Sequence, residues 1–110
     1  MHKIPLNLNG TEDIRTSFEL CYKSNYCIML DEGKIYTCST IPYIKHFNKY
    51  FGTNLEVSEN DYIDIYSVEN VEEIFDFLCK PMPFCRYCNV KGLVYNIKWG
   101  KSKKEISEWI

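Results

Sequence analysis

The sequence predicts a small α+β fold: a short β-hairpin followed by helices, with a cysteine-bound metal or cluster site joining the hairpin to a C-terminal Cys-x2-Cys loop. Three observations carry that expectation. Two β-prone runs, Cys27-Ile28-Met29-Leu30 and Ile35-Tyr36-Thr37-Cys38, flank Asp31-Glu32-Gly33-Lys34. Two later stretches place apolar residues at helical spacing between capping residues. Finally, cysteines arrive from two distant places, Cys21 and Cys38 upstream, Cys85 and Cys88 downstream.

In chain order, residues 1–20 form a lead-in with little periodicity. Ile4-Pro5-Leu6-Asn7-Leu8 alternates weakly, as an edge strand that tolerates proline does, and Asn9-Gly10 marks a turn. The hairpin follows, its Gly33 able to take positive φ at no steric cost and its second strand aiming Cys38. Ser39 or Thr40 then opens a helix with Pro42 in its first turn, where a missing N–H costs nothing. Ile44, Phe47 and Phe51 share one face of it with Tyr43 and Tyr50 beside them; Lys45, Asn48 and Lys49 form the wet face, and Gly52 ends the helix.

Residues 53–60 read as a polar loop, and Tyr62-Ile63-Asp64-Ile65-Tyr66 as a short strand with Ile63 and Ile65 inward. Asn70 with Glu73 is a capping box for a second helix whose stripe is Val71, Ile74, Phe75 and Leu78. Lys80-Pro81-Met82-Pro83 stops it. Residues 93–99 read as a strand, and Ser102-x2-Glu105 as the cap of a last amphipathic turn ending in Trp109 and Ile110.

At 110 residues the chain is one domain, 1–110, with a core supplied largely by nine Tyr and six Phe. Interspersed charges with a net of −2 give no electrostatic case for nucleic acid. No apolar run approaches the ~20 residues that span a bilayer, and residues 1–10 lack the apolar region of a secretory signal. The expectation is a cytoplasmic protein, where reduced thiols favour metal binding over disulfides. A secreted three-disulfide domain is the contrary reading.

Four thiolates converging from two places are what a tetrahedral metal or an iron–sulfur cluster requires. Cys85-x2-Cys88 brings two side chains onto one centre, with Pro81 and Pro83 stiffening the approach. Its rival reading, a thioredoxin-like redox pair, wants a strand before it and a helix after it. Cys38 is the third ligand; the fourth is Cys21, with Cys27 as its alternate. Cys79 falls on the apolar stripe of the second helix and reads as a buried structural thiol. His2 and His46 read as surface residues, and Asp61, Asp64, Glu69, Glu72 and Glu73 as solvated acids. No nucleophile–base constellation and no glycine-rich phosphate loop is present, so the chain is not expected to be an enzyme on its own.

The spacing Cys21-x11-Gly33-x4-Cys38, a gap, then Cys85-x2-Cys88 resembles the truncated SPASM, or twitch, domain of radical S-adenosylmethionine enzymes. Residues 31–38, residues 83–89, and Trp99 with Ser102 to Trp109 look like the matching parts. The resemblance implies a hairpin followed by a helix carrying an auxiliary 4Fe–4S cluster on Cys21, Cys38, Cys85 and Cys88. It implies a role in electron relay or substrate positioning beside a radical S-adenosylmethionine catalytic domain, in cis or in trans. The catalytic Cys-x3-Cys-x2-Cys triplet is not in this sequence, so the chain is expected to be a C-terminal fragment or a free-standing relative. Phe84, Tyr87 and Tyr36 are the expected apolar wall. The alternatives are a structural zinc site in an interaction module and a metal-free binding domain with Trp99 and Trp109 in its contact patch.

Overall fold

The hairpin forms where local chemistry demands it. In the computed structural model, which describes residues 2–24 and 26–110, β1 (Met29–Asp31) and β2 (Lys34–Tyr36) pair antiparallel, with Met29 opposite Tyr36 and Asp31 opposite Lys34. Glu32 and Gly33 both lie at positive φ, 48° and 75°. That is the tight two-residue turn whose twist matches the strands it joins. A Cβ at Gly33 would stand 2.6 Å from the exposed Tyr66 ring, which would have to swing aside, so the positive φ is what calls for glycine there. β3 (Ile63–Asp64) adds to β2 with Ile63 opposite Ile35, completing a three-stranded antiparallel sheet in the order β1-β2-β3. The strand expected over 62–66 is thus only two residues long, and Ile63 and Ile65 are half-buried.

Helix α1 (Ile14–Glu19) lies in the lead-in, where weak periodicity predicted none. Its start is fixed by Asp13, whose carboxylate accepts the Thr16 N–H at 2.8 Å. Helix α2 (Thr40–Phe51) runs as expected from Pro42 in its first turn to Gly52 at φ 65°. Ser39 does not cap it through its side chain. Ile41 and Ile44 form its buried face, Phe47 and Phe51 are half-buried, and Tyr43, His46 and Tyr50 are exposed. The core joins these isoleucines to Tyr36, Leu55, Met82, Phe84 and Tyr87.

Helix α3 (Val71–Leu78) keeps the expected capping box of Asn70 and Glu73 but buries none of its residues. Its stripe is only partly covered: Ile74 and Leu78 are half-buried, whereas Val71 is 53% and Phe75 61% exposed. Cys79 is consequently exposed, which corrects its reading as a buried structural thiol. The strand expected over 93–99 does not form either. Among the described residues Val94 alone of this run pairs, with Lys3, and Tyr95 and Trp99 stay exposed. The expected edge strand over 4–8 reduces to a single bridge between Leu6 and Cys88. Ser102 does not cap the last turn through Glu105; its hydroxyl donates to Glu108 at 2.7 Å, and a 3-10 turn spans Ile106–Glu108. Among the described residues, no helix is long and apolar enough to cross a membrane.

Candidate functional site

The Cys-x2-Cys stretch folds as a 3-10 turn over Pro83–Tyr87, with Pro83 in the first position, where its missing N–H is no loss. Cys85 N–H reaches the Met82 carbonyl at 3.0 Å and Cys88 N–H the Cys85 carbonyl at 3.1 Å. Three other parts of the chain clamp this turn. The lead-in lies along it: Asn7 N–H donates to the Tyr87 carbonyl at 2.7 Å and Asn89 N–H to the Pro5 carbonyl at 2.9 Å. From α1, the Ser17 hydroxyl donates to the Cys88 carbonyl at 2.8 Å. From the far side, Asp61 accepts the Phe84 N–H at 2.6 Å.

Asp61 is fully buried, which corrects its reading as part of a solvated strand edge. Its other oxygen accepts the Ser58 N–H at 2.7 Å, so both oxygens are engaged. A buried carboxylate is tolerated when charge-assisted hydrogen bonds replace its water.

The clamped turn meets the end of the hairpin across a small hollow of about 30 Å³. Cys21, Cys38, Cys85 and Cys88 all line it, with Phe18, Ile41, Met82 and Phe84 supplying apolar wall. Cys27, the alternate fourth thiol, does not line it, nor does the exposed Cys79. Of the expected wall residues Phe84 lines the hollow, whereas Tyr36 and Tyr87 are buried in the core and do not. The four thiols stand around the hollow and do not meet at a point. Among the described residues, no three His, Cys, Asp or Glu side chains form a group that would hold a metal ion as they lie.

All six cysteines are free thiols. Burial pushes the Cys85 thiol up to about 11, and the nearby sulfurs of Cys21 and Cys38 add to the rise. Cys88 is raised further, again chiefly by burial, with Cys38, Cys85 and Cys21 contributing through their proximity. Cys21 is also raised by burial. A dry pocket penalises bare thiolates, and several thiolates side by side repel one another. A cation among them inverts that balance, since metal binding deprotonates the ligating thiol outright. The same shift opposes a thioredoxin-like pair, whose attacking thiol needs a lowered pKa.

Two features suit the hollow to an anionic sulfur centre. Thr40 N–H, at the start of α2, donates to the Cys38 sulfur at 3.4 Å, and the positive end of the helix favours negative charge there. Thr37, the residue before Cys38, also lines the hollow, fully buried, and its hydroxyl finds no hydrogen-bond partner among the described residues. The other two hydroxyls in the wall are already used. Ser17 bonds the Cys88 carbonyl, and Ser24 bonds the Cys21 carbonyl at 3.0 Å. The donor set and the orphaned hydroxyl both fit a sulfur-rich metal centre.

Sequence reasoning singled out the thiols but not Thr37, Ser17, Phe18 or the burial of Asp61. Only Thr37 carries a local signal, its place beside Cys38 at the end of a strand; the others reach the site through contacts far apart in the chain. Comparison with protein-family models, with curated proteins and with solved structures finds no match for this chain.

Proposed function

We propose that the chain is an iron–sulfur domain in which Cys21, Cys38, Cys85 and Cys88 hold a 4Fe–4S cluster. The observation that carries this reading is the convergence of these four thiols, drawn from three separate stretches of chain, on a single apolar hollow. When bound, the cluster supplies one-electron redox chemistry. The protein's part is to fix the four thiolates, exclude water with Phe18, Ile41, Met82 and Phe84, and direct the Thr40 N–H at a ligand sulfur. Four thiolates leave no iron open, which favours electron relay over substrate binding. The partner is then a catalytic domain of the radical S-adenosylmethionine type, in cis or in trans, as the cysteine spacing suggests. Six free thiols fit a reducing compartment such as the cytoplasm.

A structural zinc site is the second reading, favoured by the small volume of the hollow, about 30 Å³. Anaerobic purification followed by reconstitution with iron and sulfide separates the two. The expected product contains about four irons and four sulfides per chain, with visible charge-transfer absorbance. Cys85→Ala and Cys88→Ala abolish it, while Cys27→Ala and Cys79→Ala keep full iron content. Stoichiometric zinc that iron and sulfide do not displace would favour the second reading. Protein that takes up neither metal, with six titratable thiols, would leave a metal-free binding domain.

A further inference from the structure

We infer that the Thr37 hydroxyl donates a hydrogen bond to a sulfur of the bound cluster and raises its reduction potential. The inference rests on the cluster reading above and assigns a role to a residue outside the ligand set. Its starting point is an imbalance. Burying a hydroxyl without a partner is unfavourable, and most buried polar side-chain atoms in folded proteins are paired. Thr37 is fully buried, lines the thiol hollow, and has no partner among the described residues. Its neighbours in the wall are the four thiols, four apolar side chains, and two serines whose hydroxyls are already engaged with the Cys88 and Cys21 carbonyls. What would satisfy it is an acceptor brought by the occupant of the hollow. Any bound metal ionises the cysteine sulfurs and makes them better acceptors, and a cluster adds inorganic sulfide, an acceptor that a zinc site lacks.

The effect on potential follows from charge. One electron from an external reductant enters the cluster, no bond forms or breaks, and the sulfurs become more negative. A hydrogen bond to sulfur is therefore stronger in the reduced form, and reduction is favoured. The Thr40 N–H acts in the same sense on Cys38. The two donors reach the site from either side of that ligand, one from the strand end and one from the first turn of α2.

The test is Thr37→Val, which keeps the branched shape and deletes the hydroxyl, beside Thr37→Ser, which keeps the hydroxyl. In reconstituted protein titrated with dithionite under redox mediators, Thr37→Val lowers the ratio of reduced to oxidised cluster at a given potential by about tenfold, or ~59 mV for one electron. Thr37→Ser stays within about threefold of the parent. In metal-free protein the valine variant melts at a higher temperature than the parent, because an unpartnered buried hydroxyl has been removed. Unchanged potential with full iron content would overturn the inference and leave the cluster reading standing. A lower melting temperature for metal-free Thr37→Val would overturn it too, since the hydroxyl would then have a partner within the protein. Failure of the parent chain to take up iron and sulfide would instead remove the cluster reading, and the inference with it.

Discussion

Two concave regions flank α2, and they differ in almost every respect. On one side is the thiol hollow, about 30 Å³ and mostly closed off by buried side chains. On the other is an open groove of about 540 Å³ between α2 and the C-terminal tail, walled by Tyr43, Phe47, Tyr50, Phe51 and Trp109. By volume alone the groove has the dimensions of a small-molecule site, and the hollow does not. By chemistry the order reverses. Of the polar side chains along the groove, His46, Ser102 and Lys104 are exposed, Ser39 and Thr40 are half-buried, and Ser102 is already bonded to Glu108. The hollow gathers four thiols, an unpartnered hydroxyl and a helix N–H in a dry setting. Function is better sought where buried polar groups converge than where space is largest.

The contrast should appear first in stability. Phe84 is 1% exposed and shared by the core and the hollow, whereas Tyr50 on the groove is 63% exposed. Phe84→Ala should cost about 3–5 kcal/mol by denaturant unfolding, and Tyr50→Ala less than about 1 kcal/mol. Comparable losses at both positions would mean that the groove is as tightly packed as the hollow.

A smaller effect should appear with pH. In metal-free protein the folded Cys85 thiol holds its proton up to about 11, against an ordinary value of 9.0, and Cys21 and Cys88 are displaced in the same direction. The folded state then binds more protons than the unfolded state across that window, so stability falls as pH rises. The loss should be negligible below pH 9 and reach roughly 2 kcal/mol by pH 11 from Cys85 alone. Metal-loaded protein, its thiols already ionised, should lack that slope. Thermal unfolding of the two forms from pH 7 to 11 checks both statements, and equal slopes would separate the thiols from the effect.

Smallest is Asp61→Asn, which keeps one acceptor oxygen but removes the charge that holds Phe84 N–H at 2.6 Å and Ser58 N–H at 2.7 Å. About 1–2 kcal/mol should be lost. The change should loosen Cys85 more than the groove, measured as faster alkylation of that thiol with unchanged Trp109 fluorescence.

Where local chemistry decides, the sequence is readable. Gly33 sets the hairpin turn, Pro42 and Gly52 bracket α2, and Asn70 with Glu73 opens α3. The four thiols were also legible as a group, because their spacing contains both the hairpin and the Cys-x2-Cys turn. What could not be read depends on distant partners. The stripe of α3 has the right period for a buried helix but is only half covered, through Ile74 and Leu78, which leaves Phe75 and Cys79 exposed. The run 93–99 has strand-like residues, but among the described residues its one bridge is Val94 to Lys3. Asp61 is polar in sequence and buried in fact, because the N–H it serves lies in another part of the chain. The lead-in shows little pattern, since much of its work is done by backbone groups against the Cys-x2-Cys turn.

That last feature bears on the order of assembly. Because Pro5 and Asn7 bond residues 89 and 87, all three helices and the hairpin lie between the two tethered segments. Residues 85–88 must leave the ribosome before the lead-in can dock on them, so under the proposed function the cluster site is completed only then. Until then the proposed ligand set is only Cys21 and Cys38, a pair without its complement.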